Sequence, residues 1–146
     1  MNVKAQLQRR IRHHVAIELY DGWAGERTGF AIYGLSDPRD LRLIRYVGQT
    51  RSPRRRFLQH LSTARLWFPE EVPWWIQSPK LRPLYSWIRD LYRDDCRLPT
   101  MIIQSWVPDL REARVAERSL IHGCLATQLP LLNVEAEILK RAPPLL

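Results

Sequence analysis

The chain has 146 residues, the common size of one domain and too few for two of ordinary size. Lys and Arg outnumber Asp and Glu by 23 to 15, a formal charge of +8 that favours partners carrying phosphate or anionic lipid. No apolar run approaches the roughly 20 residues that span a bilayer, and the leading MNVKAQLQRRIRHH has no apolar secretory core, so a soluble, cytoplasmic protein with no membrane partner is expected. The two cysteines, Cys96 and Cys124, have neither the paired spacing of a zinc site nor the density of a disulfide scaffold, and are expected as reduced, buried thiols.

Residues 2–20 set Val3, Leu7, Ile11, Val15 and Leu19 at four-residue spacing, the stripe of a helix whose other faces carry Lys4, Arg9, Arg10 and Arg12. GFAIYGL and RLIRYVG are rich in β-branched and aromatic residues and are separated by the turn-prone SDPRD, which predicts a β-hairpin. From Ser52 to Leu66, the spacing of Phe57, Leu58, Leu61 and Ala64 predicts a helix with Ser52 as N-cap and Pro53 at its first position. The prolines between Trp67 and Pro83 break regular structure while its tryptophans oppose disorder, so an ordered loop is expected there. A helix over 84–93, a strand over 100–107 and a last helix from Asp109, as N-cap, to about Gln128 complete the order. Leu110, Ala113, Glu117, Leu120 and Cys124 share one face of that last helix.

From about Thr28 to Asn133 these elements carry AIY at 31–33, YVG at 46–48, QTRSPRRRFLQH with Arg56 eight and His60 twelve residues after Gly48, ARVAERSLI with Glu117, and LLN ending at Asn133. In order and spacing, this set resembles the motifs of the GIY-YIG nucleases. Ala31 stands where the family's first motif opens with Gly; one added methyl suits a strand and is expected to be tolerated. The resemblance implies an α/β (α+β) fold, a small three-stranded antiparallel sheet flanked by helices in the order ββααβα, with the additional N-terminal helix. The domain is then 28–135, between a basic helix and linker at 1–27 and a tail at 136–146. It also implies a metal-dependent endonuclease hydrolysing DNA phosphodiester bonds. In that role Tyr33 and Tyr46 handle the attacking water, His60 assists, Arg56 clamps the phosphate, Glu117 holds one Mg²⁺ or Mn²⁺ ion, and Asn133 supports the site through hydrogen bonds.

The residue types suit that chemistry. A free phenol has a pKa of about 10, so ionising Tyr33 or Tyr46 at pH 7 costs roughly 4 kcal/mol. Either a nearby cation lowers that cost or a base, for which His60 is the natural candidate, takes the phenolic proton. Arg56 and His60, four apart, lie on one helix face, and a guanidinium presents a planar fork to a phosphate. Arg51, Arg54 and Arg55 are expected at flanking phosphates. Glu117 sits on an apolar stripe, where an ionised carboxylate needs compensation, by a divalent ion or by a buried salt bridge such as one to Arg56.

Plainer roles stand beside these. Hairpin tyrosines are more often packed aromatics, an arginine run is usually a solvated face, and Trp74 and Trp75 suit loop packing as well as stacking on unpaired bases. His13, His14 and His122 match no motif. A nucleic-acid-binding module without chemistry, or a nuclease acting on single-stranded or branched DNA or RNA within a larger complex, are the alternatives. The nuclease core is expected to use most of the chain and to leave over no separate DNA-reading module. Specificity would then come from a protein partner, a homodimer, a branched or single-stranded substrate, or the basic helix at 2–20.

Overall fold

The computed structural model describes residues 28–66 and 82–133. The expected helix at 2–20, the loop at 67–81 with Trp74 and Trp75, and the tail at 136–146 lie outside those residues. Strand β1 (Phe30–Asp37) turns through Pro38 and Arg39 into β2 (Asp40–Thr50). Asp37 closes the turn: one carboxylate oxygen accepts the Arg39 backbone N–H at 2.9 Å and its guanidinium Nε at 2.9 Å. Helices α1 (Pro53–Ala64) and α2 (Arg82–Asp95) follow, then β3 (Thr100–Val107) and α3 (Leu110–Ala126). The order is therefore ββααβα, with β1 central in a three-stranded antiparallel sheet ordered β2-β1-β3.

The helix ends show which terminal signals operate. Asp109 caps α3 by accepting the Glu112 N–H at 2.8 Å. Ser52 does occupy the N-cap of α1, but its side chain makes no cap bond, and Pro53 alone supplies the favourable start. At the other end of α1, Arg65 takes a left-handed conformation, and Arg89 of α2 donates to the Ala64 and Arg65 carbonyls at 2.8 and 2.7 Å. One guanidinium thus satisfies two helix-end acceptors and ties α2 to α1.

Alternation along β2 divides the core. Tyr46 faces a cluster built on Tyr33, Leu35, Phe57, Leu61, Leu84, Ile88 and Met101, whereas Val47 faces a second cluster with Ile121, Cys124 and Leu131. Helices α1 and α2 thus cover one sheet face and α3 the other. Ala31 is fully buried and pairs with both Thr50 and Trp106, so its methyl is accommodated in a regular stretch of strand. One expectation needs correcting: Cys96 is exposed after the end of α2, while Cys124 is buried as expected. Leu110, the first residue of α3, is 42% exposed. Among the described residues no helix is long and apolar enough to cross a membrane.

Gly48 is the one glycine on which the tyrosine face depends. It pairs with Tyr33, and a β-carbon there would run into the Tyr33 hydroxyl and ring. Gly123, inside α3, has nothing near its missing β-carbon among the described residues. Gly48→Ala should therefore destabilise the fold by about 1–3 kcal/mol, and Gly123→Ala should stabilise it by about 0.5–1 kcal/mol. Urea unfolding of both variants checks the pair; equal effects would contradict the close Tyr33–Gly48 packing.

Candidate active site

The hairpin register sets Tyr33 opposite Gly48 and Leu35 opposite Tyr46, which makes the two tyrosines diagonal neighbours with ring centroids 6.3 Å apart. Helix α1 lays His60 against both rings, at centroid distances of 6.0 Å to Tyr33 and 5.4 Å to Tyr46. The Tyr33 hydroxyl lies 2.8 Å from Nε2 of His60. From α2, the Tyr85 hydroxyl lies 3.4 Å from Nδ1 of the same ring. Tyr33 and His60 have essentially no solvent exposure, at 0% and 1%. Tyr46 is only half-buried and so is the phenol nearer the surface.

One turn before His60, the half-buried Arg56 approaches Gln59 at 3.4 Å and interacts through charge and hydrogen bonding with both Tyr33 and Tyr46. Glu117 on α3 is half-buried, and its carboxylate is near enough to raise the pKa of both phenols. Tyr33, Tyr46, Arg56, His60 and Glu117, spread over four elements, therefore share one electrostatic neighbourhood.

Burial sets the protonation states. Desolvation, helped by the Arg56 charge, pushes His60 down to about 3, so the ring is neutral at pH 7. Desolvation also drives Tyr33 well above the ordinary phenol value; Tyr46 adds to the rise, and the opposing pull of Arg56 is outweighed. Tyr46 is raised for the same leading reason. Of the two routes for a phenolic proton, a standing phenolate held by a cation is thus disfavoured. Transfer to the neighbouring imidazole has the geometry it needs.

Asn133 does something more specific than general support. Its Oδ1 accepts the Val47 N–H at 2.9 Å and its Nδ2 donates to the Val47 carbonyl at 2.7 Å. It clasps the outer edge of β2 beside Tyr46. Arg54 and Arg55 are exposed on α1, and exposed Arg51 rests over the Phe30 ring at 4.8 Å. His122 is exposed and stands apart from the tyrosines. It borders a groove of about 630 Å³ along the outer face of α3, with Arg111, Arg114, Arg118 and Val115.

Among the described residues no group of three or more His, Cys, Asp or Glu side chains gathers as a metal cage. Glu117 beside two phenols fits an ion that keeps most of its waters, as Mg²⁺ does, and not a tetrahedral zinc centre. Tyr85 is the site residue that sequence reasoning passed over. Its only signal was a phenol on the apolar stripe of α2, beside Leu84 and Ile88. Comparison with protein-family models, curated proteins and solved structures finds no match to this chain.

The depressed His60 pKa carries a stability signature. Below about pH 6.5 the unfolded chain protonates this ring while the folded chain does not, until about pH 3. Stability from His60 is therefore full above pH 6.5 and lost as pH falls toward 3, at up to about 1.36 kcal/mol per pH unit. Unfolding free energies of the wild type and His60→Gln, measured from pH 7 to 4, should converge as pH falls. A constant difference would mean that His60 is not held neutral by burial.

Proposed function

We propose that the chain is a metal-dependent endonuclease of the GIY-YIG type that hydrolyses DNA phosphodiester bonds. The observation that carries this reading is the buried Tyr33–His60 hydrogen bond, with Arg56 and Glu117 acting on the same phenol. The motif resemblance supports it too, because AIY, YVG, Arg56, His60 and Glu117 are distant in sequence and converge on one place.

Tyr46, the more accessible phenol, orients the attacking water. Tyr33 takes a proton from that water as it passes its own to Nε2 of His60, so the phenol is never left ionised in a dry site. The water oxygen bonds to phosphorus, the ester oxygen leaves and takes a proton from solvent, and His60 is left as imidazolium. Arg56 exchanges its contacts with the phenols for the phosphate, whose charge offsets that of the new imidazolium. Glu117 would hold one Mg²⁺ or Mn²⁺ ion, which when bound supplies Lewis-acid charge to the phosphoryl oxygens. Arg51, Arg54 and Arg55 contact flanking phosphates. The substrate on this reading is DNA.

One observation favours a second reading. Tyr33 is completely covered, so Tyr33 and His60 also suit a purely structural hydrogen bond inside a nucleic-acid-binding module that does no chemistry. Pure protein incubated with Mg²⁺ or Mn²⁺ and a panel of duplex, single-stranded and branched DNA and RNA separates the two. The nuclease reading expects cleavage of at least one DNA form. It also expects Glu117→Ala to keep DNA binding while losing about 10²–10³ of the rate. Binding without cleavage by the wild type, or metal-dependent cleavage that survives Glu117→Ala, would overturn it.

A further inference from the structure

His60 has hydroxyls at both ring nitrogens, Tyr33 at Nε2 and Tyr85 at Nδ1. A neutral imidazole has one donor nitrogen and one acceptor, so two arrangements are open. In the first, Tyr33 donates to Nε2 and Nδ1–H donates to Tyr85. In the second, Tyr85 donates to Nδ1 and Nε2–H donates to Tyr33. The surrounding groups break the symmetry. Arg56, whose guanidinium has donors only, also acts on the Tyr33 oxygen. In the second arrangement the Tyr33 oxygen faces donors on both sides and its own hydrogen has no acceptor among them. In the first, Tyr33 accepts from Arg56 and donates to His60. Tyr85 then accepts from His60 and can give its hydrogen to Thr63, its partner on α1, whose hydroxyl both donates and accepts. The first arrangement gives Tyr33, Arg56, His60 and Tyr85 compatible donor and acceptor roles together.

We propose that Tyr85 is a positioning residue that holds His60 as the Nδ1–H tautomer, leaving Nε2 as the acceptor for the Tyr33 hydroxyl. The tautomer follows from the two hydroxyls on the ring and from the donor-only guanidinium acting on Tyr33; its catalytic consequence rests on the nuclease reading. In the other tautomer Nε2 already carries its proton and cannot receive one from Tyr33. Tyr85 also serves the product of that transfer. Once Nε2 has gained the Tyr33 proton, the Nδ1–H to Tyr85 bond becomes charge-assisted, as does Nε2–H to the Tyr33 oxygen, and the two offset the like charge of Arg56. Tyr85 keeps its own proton throughout and touches no substrate.

The test is imidazole ¹⁵N NMR at pH 7 on the whole chain, where His60 is neutral and the protonated nitrogen is identified by its shift and by its coupling to ring protons. Wild-type His60 should be the Nδ1–H tautomer. Tyr85→Phe, which removes only the hydroxyl, should shift the population toward Nε2–H. Thr63→Val, which leaves Tyr85 in place but takes away the acceptor of its hydrogen, should shift it the same way. In both variants kcat should fall about tenfold or more, with KM unchanged; a purely structural role would lower Tm and leave kcat per folded molecule intact. A wild-type Nε2–H tautomer, or an Nδ1–H tautomer that persists in both variants, overturns the proposal. The predicted tautomer shifts in a protein that cuts no nucleic acid would support the assignment of Tyr85 and refute the nuclease reading.

Discussion

The hydrogen bond from the Tyr33 hydroxyl to Nε2 of His60 joins the central strand to the first helix, and much of the fold serves to keep its two ends dry and in register. Gly48 leaves room for the Tyr33 ring to cross the neighbouring strand. Phe57 and Leu61 on α1, together with Leu84 and Ile88 on α2, seal the face that holds both residues. Arg89 ties α2 to the end of α1, and α2 in turn sets Tyr85 behind the imidazole. On the far strand edge, Asn133 fixes the β2 backbone at the residue after Tyr46.

Dryness is also what gives the pair its chemical character. Burial holds the imidazole neutral and the phenol protonated, so neither group carries charge until something arrives to balance it. Arg56 alone does not tip the balance, since its charge lowers the Tyr33 pKa less than burial raises it. A phosphate diester would bring negative charge to the guanidinium and the forming imidazolium together. On the proposed reading, the site would respond to an anionic substrate and stay inert without one.

Much of the architecture was legible in the sequence because the periodic signals were local. Apolar and β-branched residues marked β3 at Thr100–Val107, and Asp109 as a candidate N-cap marked the start of α3. Ser52 was a weaker guide: a residue type favoured at N-caps says nothing of where its hydroxyl points, and here Pro53 alone supplies the start. The site was legible in part. The spacing of Tyr33, Tyr46, Arg56, His60 and Glu117 could be read, but not the burial that sets their protonation, since that arises from helices distant in the chain. Tyr85 lies 25 residues from His60, with a proline-bearing segment between, so no local pattern pairs them. Asn133 meets Val47 across 86 residues, and only the folded chain shows that its amide is spent on the β2 backbone.

The central claim is that the proton of the attacking water passes through the Tyr33 hydroxyl, and removing that one oxygen tests it most directly. Single-turnover cleavage by Tyr33→Phe, with Mg²⁺ and the best substrate of the wild type, should be slower by about 10²–10⁴ at unchanged DNA affinity. A Tyr33→Phe protein that folds and cuts at the wild-type rate would contradict the account, and would leave the buried bond to His60 a matter of structure alone.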